Sequence, residues 1–306
     1  MRRIGVDLGG TTAKLGVVNE RNEIIERRVI PTDRTRSFEE IVATLAEGAL
    51  SLGPADSIGF GVPSCLRPGS DILIYANNFG WKNRDLRGEL KKHLPEGLPV
   101  YIANDADAAT VGEFLQGAGK GYRSMLMLTL GTGVGGGFIY EGRLFRGGDG
   151  AGIEPGHIII HEDGQACTCG MHGCLESYCS ATALIREITA SDSPILQESI
   201  RAEGGKANAR MLFDACAAGD PAAQEILRLY IHRLAVGVGS LVTVLKPQLV
   251  VLGGGISAAG EVLLAPLRGE LAHTVYGSDA YGCPPVTTAV LGNDAGIIGA
   301  ASLFTV

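Results

Sequence analysis

One stretch of this chain is written twice, and that repetition limits its fold more than any other feature. Near the start, Arg3 to Leu8 reads as a strand, Gly9-Gly10-Thr11-Thr12 as a tight turn, Ala13 to Val18 as the returning strand and Glu23 to Ile30 as a third. Met125 to Tyr140, MLMLTLGTGVGGGFIY, repeats the arrangement of apolar strand, glycine- and threonine-rich turn and apolar strand back. With Gly9 laid on Gly131, Leu8 falls on Leu130 and Thr11 on Gly133. Such self-similarity marks an internally duplicated architecture. A single Gly-Gly-Thr-Thr turn reads as a plain hairpin. A pair reads as two anion cradles, because each turn exposes backbone amides together and the threonine hydroxyls add donors. A phosphate would sit against Gly9, Gly10, Thr11 and Thr12, and again against Thr132 and Gly133. Asp7, at the end of the first strand, would hold a magnesium ion directly or through water. Lys14 is a candidate for neutralising phosphate charge, with a solvated strand lysine as the alternative.

The densest chemistry lies in Glu154 to Glu176, EPGHIIIHEDGQACTCGMHGCLE. Cys167, Cys169 and Cys174 with His157 are the thiolate and imidazole donors of a closed tetrahedral zinc site, a structural rather than catalytic one. A glycine after Cys169 and another before Cys174 let the backbone turn sharply enough to bring the sulfurs together. The alternative is four unrelated residues, since free cysteine is commonly a small core hydrophobe.

The pattern Glu154-x-Gly156-His157 followed by Cys167-x-Cys169-Gly170-x-x-Gly173-Cys174-x-Glu176 resembles the signature of the ROK family of sugar kinases and sugar-responsive repressors. The resemblance implies that His157 and the three cysteines bind zinc while Glu154, His157 and Glu176 face a sugar. It implies an α/β fold of the two-domain, actin-like ATPase (ribonuclease H-like) type, duplicated, with nucleotide and sugar in the interdomain cleft. The expected division is a small domain over residues 1–118, joined by a returning helix over 293–306, and a large domain over 119–292 carrying the zinc.

The same resemblance assigns roles elsewhere. Asn104-Asp105-Ala106-Asp107 ends a buried strand, Pro99 to Ala103, and starts a helix through Phe114 with acidic residues well placed at its N-terminal end. Residues alone leave Asp105 as either an N-cap or a catalytic group. The family's general base sits in this Asn-Asp context, although relatives often carry asparagine where this chain has Asp107. Asn104, Ser64 and the Asn77-Asn78 loop would line the sugar site, Ser64-Cys65 standing where many relatives have a glycine after proline. The loop also holds Trp81, the single tryptophan. Leu249 to Leu252 is a buried strand running into Gly253-Gly254-Gly255, where glycines would admit a nucleotide ribose or phosphate, with a packing turn as the alternative.

Among helices, Ser37 to Leu52 carries apolar periodicity with a Ser37–Glu40 capping box. Arg84 to His93, Ser180 to Ala190, Gly219 to Leu245 (interrupted at Pro221 and loosened by Gly237 and Gly239) and Gly292 to Phe304 complete the set.

Composition narrows the function class. A net charge of −7 with dispersed lysines argues against a nucleic-acid footprint. Seven cysteines, three in a metal-like cluster, fit reduced thiols better than a disulfide framework. Leu234 to Leu245 is the nearest approach to a membrane span and ends at Lys246-Pro247, and the first residues enter a strand without a signal-peptide core, so a cytoplasmic protein is expected. The family's repressors carry an added N-terminal DNA-binding domain, for which this chain shows no room. The resemblance therefore implies an ATP- and Mg2+-dependent hexose kinase, a homodimer with structural zinc, glucose being the first choice of substrate. Fructose, mannose, allose, an N-acylhexosamine, or a non-catalytic sugar sensor are the alternatives.

Overall fold

The computed structural model describes residues 1–76 and 79–305. The chain divides into two compact units, Met1–Met125 with Gly137–Ile153 and Val290–Val306 in one, Leu126–Gly136 with Glu154–Ala289 in the other.

The first unit is built on a five-stranded sheet of order β3-β2-β1-β4-β8, formed by β1 (Arg3–Leu8), β2 (Thr12–Val18), β3 (Ile24–Pro31), β4 (Ser57–Val62) and β8 (Val100–Asn104). A second sheet joins β5 (Cys65–Leu66), β6 (Ile72–Ala76) and β7 (Trp81–Asp85) in that order. The meander β1-β2-β3 is antiparallel, while β4 runs parallel to both β1 and β8. Parallel strands are covered on both faces, which is why SIGFGV in β4 is buried throughout. Edge strand β3 exposes Ile25 and Val29 between Glu26, Arg27 and Arg28, charges that discourage pairing with another chain.

Helix α1 (Phe38–Leu50) starts on the expected capping box, the Glu40 amide donating to Ser37 Oγ and the Ser37 amide to Glu40 Oε2. Between Leu66 and Leu90 the sequence expectation needs correction. Lys82 to Asp85 pair with β6, so only Leu86–Leu90 forms a helix, α2, capped by Asp85. Trp81 is strand and core rather than loop, stacked on Phe79 at 4.4 Å and edge-on to Phe38 at 5.0 Å. Asn77 and Asn78 lie outside the described residues.

Helices α3 (Asp105–Gln116) and α11 (Asp294–Ser302) lie against each other in this unit. Small residues make that packing possible. A Cβ on Gly299 would stand 2.5 Å from the carbonyl carbon of Ala108 and 2.8 Å from the Gly112 nitrogen, closer than side-chain atoms approach backbone. The buried carboxylate of Glu113 closes the far end, accepting the amides of Ala118, Val290 and Leu291 at 2.9, 3.0 and 2.7 Å.

The second five-stranded sheet has order β11-β10-β9-β12-β13, from β9 (Met125–Leu130), β10 (Val134–Tyr140), β11 (Arg143–Leu144), β12 (Leu249–Gly253) and β13 (Val286–Thr288). A hairpin followed by crossover strands, in matching order, appears in both sheets, which is the duplication read from the two turns. The second unit adds α4 (Glu176–Cys179), α5 (Ala181–Ala190), α6 (Pro194–Ala202), α7 (Ala209–Ala217), α8 (Pro221–Leu245), α9 (Glu261–Thr274) and α10 (Ser278–Tyr281).

Pro221 begins α8 rather than breaking it, since the missing proline N–H falls where a helix has no partner for it, and Asp220 caps the turn by accepting the Ala223 amide at 2.7 Å. Gly237 and Gly239 do not loosen the helix but seat Leu175 and Thr274 against it. Helix α8 is longer than the Leu234–Leu245 run suggested and passes a membrane span's length and hydropathy. Half of its most apolar window is nevertheless buried in the core around Leu227, Tyr230, Leu234 and Val238.

Candidate active site

In the first unit, the ends of parallel strands bring the predicted groups to one edge. Register places Asp7 beside Gly61, and Val62 beside Asn104. The carboxyl ends of such strands are where open α/β sheets bind ligands. Burial pushes the Asp7 carboxyl above its ordinary range, opposed by the Lys14 ammonium facing it across the β1–β2 ladder. Gly296, in the first turn of α11, lies against that carboxylate: an added Cβ would be 2.6 Å from Asp7 Cγ. Lys14 is half-buried, and its Nζ, at an exposed position, donates to Asn293 Oδ1 at 2.7 Å, just before α11. The turn itself closes with the Gly9 amide on Thr12 O at 3.0 Å and is fastened to the end of β3 by the Thr32 amide on Thr11 O at 2.8 Å. Thr11 is exposed, with Gly10 and Thr12 half-buried.

Asn104 caps α3 by accepting the Ala106 amide at 2.7 Å, and its Nδ2 donates to Ser64 O at 3.3 Å. Asp105 is therefore not the cap but the first helical residue, with Oδ1 2.9 Å from the same amide. Its carboxylate sits in the first turn, where the helix dipole favours negative charge. The Ser64 hydroxyl is committed to Tyr75 O at 2.8 Å, so Ser64 meets the site through its carbonyl, which orients Asn104. Asp107, in the same first turn, is buried.

In the second unit, Glu154 leads into a 3-10 turn over Pro155–His157, with the His157 amide on Glu154 O at 3.0 Å. The following loop folds back on itself: Ile160 donates to Gly173 O, Cys167 to Met171 O and Gly170 to Cys167 O, at 2.9, 2.8 and 3.0 Å. Gly170 takes φ +94°, which a side chain would resist. The result gathers one donor atom each from His157, Cys167, Cys169 and Cys174 within 4.8 Å of one another. Cys169 and Cys174 sulfurs are 3.7 Å apart, and Cys167 Sγ is 3.8 Å from His157 Nδ1. Bonds of about 2.3 Å in a tetrahedron put sulfurs about 3.8 Å apart, so the donor set fits a tetrahedral thiolate–imidazole metal site. Burial, with Cys169 and Cys167 alongside, pushes the Cys174 thiol up to about 12. Metal uptake must then release that proton.

Glu176 links this loop to the second glycine turn. Its Oε2 accepts the Val134 amide at 3.0 Å, and Oε1 lies 3.4 Å from Thr168 Oγ1 and 3.6 Å from Cys167 Sγ. A Cβ on Gly133 would collide with the same carboxylate. The turn's carbonyls are engaged as well, Gly131 O accepting the Ala181 amide and Thr132 O the Thr182 hydroxyl, each at 2.7 Å.

The three glycines at the end of β12 separate by role. Gly253 faces the Met127 methyl, and Gly254, at φ +79°, is pressed on the Leu130 backbone, so these two have packing reasons; Gly255 faces open space. Residues the sequence reading passed over are Asn293, Thr168 and Thr182. Only Thr168 carried a signal, by lying between two cysteines of the candidate metal cluster.

The sequence model of the ROK family matches residues 3–306. A glucokinase from Thermotoga maritima is 37% identical over 99% of this chain and 97% of its own length. Among solved structures, a ROK family glucokinase from Streptomyces griseus in complex with glucose and AMPPNP superposes with a TM-score of 0.84 at 32% identity, covering 99% of both chains. The ROK hexokinase of Thermus thermophilus gives 0.83 at 33% identity, over 98% of this chain and 97% of that one. These likenesses bear out the actin-like ATPase fold expected from the duplicated turns, and the chain belongs to the ROK family.

Proposed function

We propose that this protein transfers the γ-phosphoryl group of ATP to D-glucose, giving ADP and glucose 6-phosphate. The observation that carries the reading is full-length similarity to glucokinases, one of them solved with glucose and AMPPNP, in a chain that keeps the chemistry-bearing residues of both units.

Phosphoryl transfer needs positioning and charge neutralisation more than covalent chemistry from the protein. The first unit supplies Asp7, the Gly9-Gly10-Thr11-Thr12 turn and Lys14 for the nucleotide phosphates. A magnesium ion held by Asp7, directly or through water, would neutralise phosphate charge when bound. Asn104 orients a sugar hydroxyl, Ser64 orients Asn104, and Asp105 accepts the proton of the hydroxyl whose oxygen bonds to phosphorus as the bond to ADP breaks. Asn77 and Asn78 are assigned to the sugar as well. The second unit supplies Thr132 and Gly133 for phosphate, Gly253 to Gly255 for the nucleoside end, with Gly255 the open member, and Glu154, His157 and Glu176 for sugar hydroxyls. Zinc on His157, Cys167, Cys169 and Cys174 would be a structural brace that fixes the spacing of both glutamates. An imidazole bound through one nitrogen can still offer the other to a hydroxyl. The proposal extends, on kinship, to a cytoplasmic homodimer.

A coupled ADP-release assay across glucose, fructose, mannose, allose, N-acetylmannosamine and N-acetylglucosamine tests the reading. Turnover with glucose at the highest kcat/KM is expected. Sugar binding without ADP release would instead make the protein a sensor, and a preference for another sugar would move the substrate assignment.

A further inference from the structure

The second glycine turn is held by a corner that is not part of its own hairpin. Three hydrogen bonds reach residues 131, 132 and 134, and their partners all lie between Glu176 and Thr182. The Ala181 amide donates to Gly131 O at 2.7 Å, the Thr182 hydroxyl to Thr132 O at 2.7 Å, and the Val134 amide to Glu176 Oε2 at 3.0 Å. Gly133, the residue between them, is packed so closely on the Glu176 carboxylate that any side chain would displace one or the other.

The corner is itself rigidly seated. The buried Tyr230 hydroxyl of α8 donates to Cys179 O at 2.9 Å, Arg186 donates to Ser177 O at 3.0 Å, and Ser180 caps α5 through the Ala183 amide at 3.1 Å. On its other side it follows Cys174 directly in the chain.

We infer that the α4–α5 corner positions the second phosphate turn, with Thr182 as a positioning residue for nucleotide and Glu176 serving both the turn and the sugar. The inference rests on reading that turn as a phosphate site. Oε2 of Glu176 aims the Val134 amide and props Gly133, while Oε1, approached by the Thr168 hydroxyl at 3.4 Å and the Cys167 thiol at 3.6 Å, is the oxygen that would take a sugar hydroxyl through its remaining lone pair. Thr182 holds the neighbouring carbonyl and so fixes the peptide plane whose amide belongs to Gly133. Residues that never touch the sugar would thus tune nucleotide affinity, and one residue that does would tune both.

The test is calorimetric titration with AMPPNP in the absence of sugar, and separately with glucose in the absence of nucleotide. Thr182→Val removes one exposed hydroxyl at nearly constant volume. It should weaken AMPPNP about fivefold, the effect of one ordinary hydrogen bond, and leave glucose affinity unchanged. Glu176→Ala should weaken both ligands. Glu176→Gln keeps an acceptor oxygen for the Val134 amide and should restore nucleotide affinity while glucose remains weak. A general loss of structure would lower both affinities in Thr182→Val and is distinguished on that ground. Wild-type AMPPNP affinity in both Thr182→Val and Glu176→Ala would overturn the inference alone, whereas failure of the wild-type protein to bind AMPPNP would overturn the phosphate reading beneath it.

Discussion

Replacing Gly299 by alanine adds one methyl group and should have a large effect for its size. The added carbon would stand 2.5 Å from the Ala108 carbonyl carbon and 2.8 Å from the Gly112 nitrogen, both backbone atoms of α3. The Ala108 carbonyl oxygen would be closer still, far inside ordinary contact, so α11 and α3 must part by well over 1 Å, roughly 1.5–2 Å, and backbone cannot turn aside as a flexible side chain can. Overpacking of this kind destabilises by about 1–3 kcal/mol, and the absence of a movable partner places Gly299→Ala at the upper end. At about 2–4 °C per kcal/mol for a unit of this size, thermal unfolding should fall by roughly 6–12 °C. Function should suffer in a particular way, because α3 carries Asp105 at its start and α11 carries Gly296 against Asp7. Parting the helices would displace Asp105 and Asp7, the proposed base and proposed magnesium ligand, so kcat should drop more than glucose affinity. Differential scanning calorimetry with steady-state kinetics reads both. A melting temperature within 1 °C of wild type, with normal kcat, would refute the idea that this glycine contact sets the spacing.

Three further outcomes follow from the site. Gly254→Ala should lower thermal stability, since φ +79° and the Leu130 backbone both oppose a side chain, whereas Gly255→Ala, facing open space, should melt like wild type and lose only nucleotide affinity by calorimetry. Asp7→Asn should abolish turnover yet stabilise the fold by roughly 1 kcal/mol at neutral pH. A carboxyl whose folded pKa is raised contributes stability only below its unfolded pKa and loses it as pH rises through the folded one, so the advantage of the Asn variant should shrink as melts are run below that raised value. Cys169→Ser should lower metal content in elemental analysis and weaken glucose far more than AMPPNP, an effect that His161 or His172, close by in the sequence, would soften by serving as a substitute ligand; normal glucose affinity in a metal-free preparation would contradict the brace.

What could be read from the sequence was local or repeated. The Ser37–Glu40 box, the Cys/His group and the two glycine turns are each written in a short stretch of chain: the box closes as expected, the four donor atoms converge, and each turn joins neighbouring strands in sheets of matching order. The turns even carried topology, because two copies of a strand–turn–strand imply two copies of the sheet. What was not legible depended on distant contacts. Gly299 looks like a helix weakness until Ala108, far away in the chain, is seen to need its space. Pro221 was read as a break because the capping role of Asp220 was not considered. Arg84 and Asp85 carry charges that suit the start of a helix, but pairing with β6 overrode that preference. The resemblance puts Ser64 at the sugar site, yet its hydroxyl serves Tyr75 across a sheet that the sequence did not announce.

The central claim, a sugar kinase whose base is Asp105, is tested most directly by Asp105→Asn. Asparagine keeps the size and much of the hydrogen bonding at the start of α3 but cannot take a proton. ADP release with saturating glucose and ATP should fall by about two orders of magnitude or more, the range expected for loss of a general base, while calorimetry shows glucose bound nearly as tightly as by wild type. Turnover of the Asn variant close to the wild-type rate would contradict the assignment.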